Sequence, residues 1–226
     1  MTPQRFQKIQ AALRRRQPDL TILAEGVHKS HNLSALVRSC DATGVFEIHV
    51  VAPDGEIPRH HLVAGGSWKW VRPRVHAHVL QAIEHLKKDG FHVIAAHFSE
   101  TAVDYRDLDY TRPTAVLLGT ELHGVSPEAA AAADCHTVIP MRGLVASLNV
   151  SVANALILFE AARQREAAGL YEHSRLDAET WRRTLFEWCY PDVARRCRRH
   201  GLGYPRLGRH GELLENPFRD DPDQGR

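Results

Sequence analysis

Between residues 20 and 166, short apolar runs alternate with longer stretches whose apolar positions recur at helical spacing. Residues 20–24 form an apolar run that ends in Glu25-Gly26. Residues 33–42 follow with Leu33, Leu36 and Val37 at helical spacing, and Asn32 stands where a side-chain oxygen would cap that helix. Residues 46–51 are a compact β-type run closed by Pro53-Asp54-Gly55. Residues 79–88 read as an amphipathic helix stopped by Asp89-Gly90, and 91–97 as a further strand. Residues 115–118 are a strand that runs into Gly119-Thr120. Ser126-Pro127-Glu128 opens an alanine-rich helix with a cap and a first-position proline. Residues 137–139 form another short strand, and 149–165 a long helix with an apolar body. This alternation predicts an α/β fold with a largely parallel sheet and helices on both faces. Ligands in such sheets bind at the carboxyl ends of the strands. The loops after Leu118, after Ile139 and around Asn32 are therefore where chemistry is expected.

The flanks change character. Residues 1–19 contain a short basic helix over 5–16, and residues 167–210 form a basic extension with helices over 180–189 and 191–200. Residues 211–226, rich in Pro, Asp and Gly, read as a disordered tail. The net charge of the 226-residue chain is only +2, but it is unevenly spread. Residues 1–17 hold five basic and no acidic side chains, 18–162 hold eleven basic and sixteen acidic, and 163–210 hold eleven basic and six acidic. An acidic body between two basic flanks attracts a polyanion such as RNA, although solvated helix faces would look the same. No apolar run approaches the length of a membrane span, and residues 1–16 hold no secretion signal. Cys40, Cys135, Cys189 and Cys197 are scattered without a CxxC pair, and the fifteen histidines lack HExxH spacing. A cytoplasmic protein with reduced thiols and no metal site is expected.

Three segments concentrate polar residues at those loops. Residues 117–124 (LLGTELHG) join a strand to a glycine-bearing turn. GxGxxG and GK[ST] are both missing from the chain, which removes the Rossmann and P-loop explanations. Residues 139–151 (IPMRGLVASLNVS) end a strand and place Ser147, Asn149 and Ser151 before an apolar helix, where either Ser147 or Asn149 can cap. Asn154, inside that helix, needs a hydrogen-bond partner. Residues 32–45 (NLSALVRSCDATGV) place Asn32 and Arg38 six residues apart. Taken singly, each segment is also an ordinary turn or capped helix.

Together and in this order, the three segments resemble the SpoU/TrmH family of SPOUT methyltransferases over about residues 20–166. The resemblance implies a SPOUT fold with a C-terminal deep trefoil knot, a rarity that composition and pattern would not suggest. It implies a homodimer with each active site near the subunit interface. It implies S-adenosylmethionine (AdoMet) as cofactor, held around Leu117, Leu118, Gly119 and Thr120 and by Ile139, Met141, Ser147 and Leu148, with Gly119, Gly124 and Gly143 needed for tight turns. Arg38 becomes the central catalytic residue, supported by Asn32 on one side and by Glu121, Ser147 and Asn149 on the other. Arg163 and Arg165 match family arginines implicated in tRNA binding.

The implied chemistry needs no metal, because AdoMet carries its own activated methyl. The protein must align the reacting atoms, exclude water and help remove a ribose hydroxyl proton. Arginine is an awkward base: neutralising a guanidinium near pH 7 costs about 7 kcal/mol for five pKa units. Arg38 either loses its proton transiently with help from a substrate phosphate or stays charged and stabilises the developing alkoxide.

The short basic flanks resemble the layout of family members that methylate the 2′-hydroxyl of guanosine 18 in the tRNA D-loop. Arg14-Arg15-Arg16, Arg182-Arg183, Arg195-Arg196 and Arg198-Arg199 would then bind the RNA backbone. Trp181, Trp188 and Tyr190 could stack on bases, but core packing is favoured. The competing readings are 2′-O-methylation at another tRNA position or on rRNA, and a non-catalytic RNA-binding relative. The intact set of Asn32, Arg38, Glu121, Ser147 and Asn149 speaks against the last.

Overall fold

The computed structural model describes residues 1–27, 29–55, 66–120, 123–215 and 217–218. They form two compact units, one of Arg16–His173 and one of Met1–Arg15 with Ser174–Arg226.

The larger unit is built on a seven-stranded sheet: β1 (Leu20–Glu25), β2 (Glu47–Val51), β3 (Arg72–His76), β4 (His92–Ala96), β5 (Val103–Asp104), β6 (Thr114–Leu118) and β7 (Cys135–Val138). Every pairing is parallel, in the order β3-β2-β1-β6-β4-β7-β5. Alternate residues of each strand point to opposite faces, and each face has its own core. Ile22, Ala24, Val116 and Leu118 meet α2 (Ser30–Ala42) and α5 (Val150–Ala167) on one side. Leu23, Ala115 and Leu117 meet α3 (Val79–Lys88) and α4 (Pro127–Ala132) on the other. The expected α/β sandwich is the one observed.

Two strands had no sequence signal. β3 reads Arg-Pro-Arg-Val-His and lies at the sheet edge, where a proline and exposed charges are tolerated because one side needs no partner. β5 is only two residues long, at the other edge. Asn32 does not cap α2, which starts at Ser30 after Lys29 with no side-chain cap bond. Asn149 does cap α5, its Oδ1 accepting from Ser151 N at 2.8 Å.

In the smaller unit, α1 (Pro3–Arg14) presents Phe6, Ile9 and Leu13 on one face and packs against α6 (Ala178–Cys189), which is followed by α7 (Pro191–Arg199). The two basic flanks thus share one fold. Trp188 is buried, and Tyr190 donates its hydroxyl to Gly211 O at 2.8 Å, so both serve packing. The expected disorder from Gly211 onward does not hold for the described part. Leu213 bridges to Leu207, and Phe218 is buried under the Arg196 guanidinium, 4.2 Å from its ring centre. A buried phenylalanine outweighs the polar composition around it.

Candidate active site

A cavity of about 780 Å³ opens at the carboxyl ends of β4, β6 and β7, reached by Ala96, Leu118 and Val138. Two of the three polar segments furnish its walls. Leu118, Gly119 and Thr120 line it from the turn after β6, and Ile139, Met141, Ser147 and Leu148 from the loop after β7. Leu117 does not: strand alternation turns its side chain into the opposite core. Val150, Ala153 and Ile157 of α5 complete an apolar wall.

The turn after β6 closes on itself. Thr120 and Gly124 exchange both backbone hydrogen bonds at 2.9 Å, and Thr120 Oγ1 accepts from His123 N at 2.9 Å. Gly124 sits at φ 67°, a left-handed conformation that glycine adopts freely. A Cβ on Gly119 would lie 1.9 Å from Gly124 O, so only glycine fits there. Gly143 has no such need, since its φ is not left-handed and a Cβ would meet nothing within 4 Å. Glu25 at the end of β1 braces the next segment, its Oε2 accepting from Ser126 N at 2.9 Å. Glu121 lies outside the described residues.

A side-chain hydrogen bond joins the third segment to the second. Asn149 Nδ2 donates to Asn32 Oδ1 at 3.2 Å, tying the first turn of α2 to the start of α5. Further along, Asn154 Nδ2 donates to Leu36 O at 3.4 Å, a partner for the donor side of this buried amide. Ser147 stands at the cavity, whereas Asn32, Asn149 and Arg38 do not line it within this chain. Arg38 is exposed, with no hydrogen bond or ion pair among the described residues.

These residues suit AdoMet. The volume is that of a small-molecule site, aliphatic side chains offer the apolar wall that a purine prefers, and the bare backbone at Gly119 lets a ligand come close. Among the lining residues that carried no motif signal are His97 and Phe98. Only their place just past the end of β4 could have pointed to them.

The arginines divide sharply. Arg165 is fully buried and all its guanidinium hydrogens are used: Nε donates to Tyr110 O at 2.8 Å, Nη1 to Gln17 Oε1 at 3.0 Å and Asp19 Oδ1 at 2.7 Å, and Nη2 to Asp19 O at 3.0 Å and Arg112 O at 2.9 Å. It cannot also hold RNA. Arg16 is likewise buried, donating to Val45 O at 2.9 Å and paired with Asp41. Arg163 is exposed but paired with Glu160 at 2.6 Å, and Arg195 with Asp192 at 3.1 Å. Arg14 and Arg15 are exposed, and Arg196 is half-buried on Phe218. Among the described residues no cluster of three or more His, Cys, Asp or Glu could hold a metal ion, and no helix is long and apolar enough to cross a membrane.

The SpoU rRNA Methylase family matches residues 19–159, and the SpoU rRNA methylase C-terminal family matches residues 163–216. The chain is 48% identical over 215 residues to the tRNA (guanosine(18)-2′-O)-methyltransferase of Escherichia coli K12, covering 94% of each. Its fold is similar to that of the A. aeolicus TrmH/SpoU tRNA modifying enzyme, with a TM-score of 0.76, 40% identity, and coverage of 84% of this chain and 97% of that one. It is also similar to the SpoU methyltransferase AviRb of Streptomyces viridochromogenes in complex with AdoMet, with a TM-score of 0.57, 28% identity, and coverage of 67% and 60%.

Proposed function

The chain belongs to the SpoU rRNA Methylase family, and from that membership we propose how its cavity and helices perform the family's reaction. The protein is an AdoMet-dependent methyltransferase acting on the ribose 2′-hydroxyl of guanosine 18 in tRNA. The observation that carries the assignment of the site is the cavity after β4, β6 and β7, walled by two of the family segments and joined to the third through the Asn149–Asn32 bond.

When bound, AdoMet supplies a methyl group activated on a sulfonium. Leu118, Ile139, Met141 and Leu148 would hold its adenosine part against the backbone of Gly119 and Thr120, and their apolar surface keeps water out. Asn149, capping α5 and bonded to Asn32, holds α2 at a set distance from the cavity. Ser147 would shape the site from the loop after β7, and the family motif gives Glu121 a part in shaping it as well. We assign Arg38 the electrostatic role: a guanidinium stays charged near neutral pH, and it stabilises negative charge developing on the attacking ribose oxygen.

From the same membership we infer the deep trefoil knot, which we place in the chain beyond β6, and the homodimer. Val152, Leu156 and Phe159 support the dimer. They recur on one face of α5, are exposed, and with Tyr105 border a shallow apolar hollow that a second copy would cover. Arg38, exposed and outside the cavity of its own chain, would complete a site near that interface. The exposed Arg14 and Arg15, with Arg182 and Arg183, offer positive charge for the tRNA backbone, as does Arg195 once its acidic partner yields to phosphate; in the larger unit, Arg163 would offer the same once Glu160 yields. Such a protein works where tRNA is, in the cytoplasm.

The test is transfer of labelled methyl from AdoMet to bulk tRNA, with the methylated nucleotide mapped. Wild type should label guanosine 18, and Arg38→Ala should lose transfer by at least about a hundredfold, the scale of removing one charge-stabilising donor, while binding AdoMet normally. Full activity in Arg38→Ala removes this role.

A further inference from the structure

One large aromatic ring stands at the cavity and has no part in the reaction so far. Phe98 lines the cavity, yet its side chain is 85% exposed. The chain on both sides of it is fastened. His97 N donates to Thr137 O at 3.1 Å, Ser99 Oγ lies 2.8 Å from His136 Nδ1, His136 Nε2 lies 2.9 Å from Ala130 O, and Ala102 N donates to Ser99 O at 3.1 Å. A turn held this firmly presents the ring to whatever enters. Among the described lining residues it is the one phenyl group, and the rest of the wall is aliphatic side chain, short polar side chain or backbone apart from His97.

We propose that Phe98 is the stacking platform for the purine ring of the cofactor. The inference rests on the cavity being the AdoMet site. Sheet order sets which end of the ligand Phe98 would meet. β6 separates β1, which leads into α2 and Asn32, from β4, which leads into Phe98. If the reacting end of the ligand faces the Asn32–Asn149 pair, its other end, the purine, falls to the β4 side. A purine offers a flat apolar face, and an aromatic ring already fixed in position loses little freedom on stacking against it.

Calorimetric titration of the tRNA-free protein tests this with two probes, AdoMet and 5′-methylthioadenosine, which keeps the purine but lacks the amino-acid end. Phe98→Ala should weaken both by about tenfold, within the range known for base–aromatic stacking. Phe98→Trp should restore binding, and Phe98→Leu, which keeps apolar bulk without a ring, should fall between. The KM for tRNA at saturating AdoMet should not move, and the melting temperature should hold, because the side chain is not part of the core. Equal affinities in wild type and Phe98→Ala overturn the proposal, as does a loss confined to the KM for tRNA or to dimer formation. A wild-type protein that binds neither probe overturns the cofactor reading and this proposal with it.

Discussion

Arg163 and Arg165 are two residues apart on one helix and look alike in sequence, but burial gives them different work. Arg163 is exposed beside Glu160, whereas Arg165 is enclosed and clamps the segment before β1 to the segment before β6 through Gln17, Asp19, Tyr110 and Arg112. A buried guanidinium with every donor satisfied is structural, since removing it leaves a carboxylate and several carbonyls without their donors. Arg165→Met should therefore cost about 3–5 kcal/mol in urea unfolding and leave the tRNA affinity of the folded protein intact. A variant of unchanged stability and weakened tRNA binding would restore the RNA role. The high histidine count has a similar answer in part. His49 Nδ1 lies 2.8 Å from buried His76 Nε2, and burial first, then the neighbouring His76, pushes His49 down to about 3, so the ring is neutral and serves packing.

Elements with a strong apolar period were readable in the chain: β1, β6, α3 and α5 emerge close to their expected limits because their burial depends on local pattern. β3 and β5 were not, because an edge strand is stabilised by the neighbour it pairs with and needs no apolar pattern of its own. Asn32 shows the same limit. Its type fits a cap, but its use is a bond to Asn149, a residue 117 positions away. The turn after β6 is a tighter case. Gly119→Ala would drive a Cβ into the Gly124 carbonyl, so the turn must open. Calorimetry should then show AdoMet binding at least about tenfold weaker, with about 1–3 kcal/mol lost in unfolding as for other overpacked sites. Unaltered binding would mean that the turn is not part of the cofactor site.

At the scale of the whole molecule, the apolar stripe on α5 is the feature a lone chain leaves unexplained. Leu156→Glu places a charge in that stripe, which the proposed dimer cannot bury unpaired. Sedimentation should show a monomer, and transfer to tRNA should fall with it, because the proposed site takes Arg38 at the interface. A dimer that survives Leu156→Glu and Phe159→Glu together would place the interface elsewhere. The basic flanks belong to this scale too. Their charge was evident along the chain, but not that α1 would pack on α6 and set the two flanks in one unit.

The amino-acid order alone determined the α/β class, the two loops after β6 and β7 that line the cavity, and the family, since these follow from local periodicity and from motifs that persist along the chain. Tertiary structure decided which polar residues face the cavity, which arginines are enclosed and which ring is displayed. Those outcomes depend on contacts between residues far apart in the chain, and an arginine at the surface and one in the core are written with the same letter.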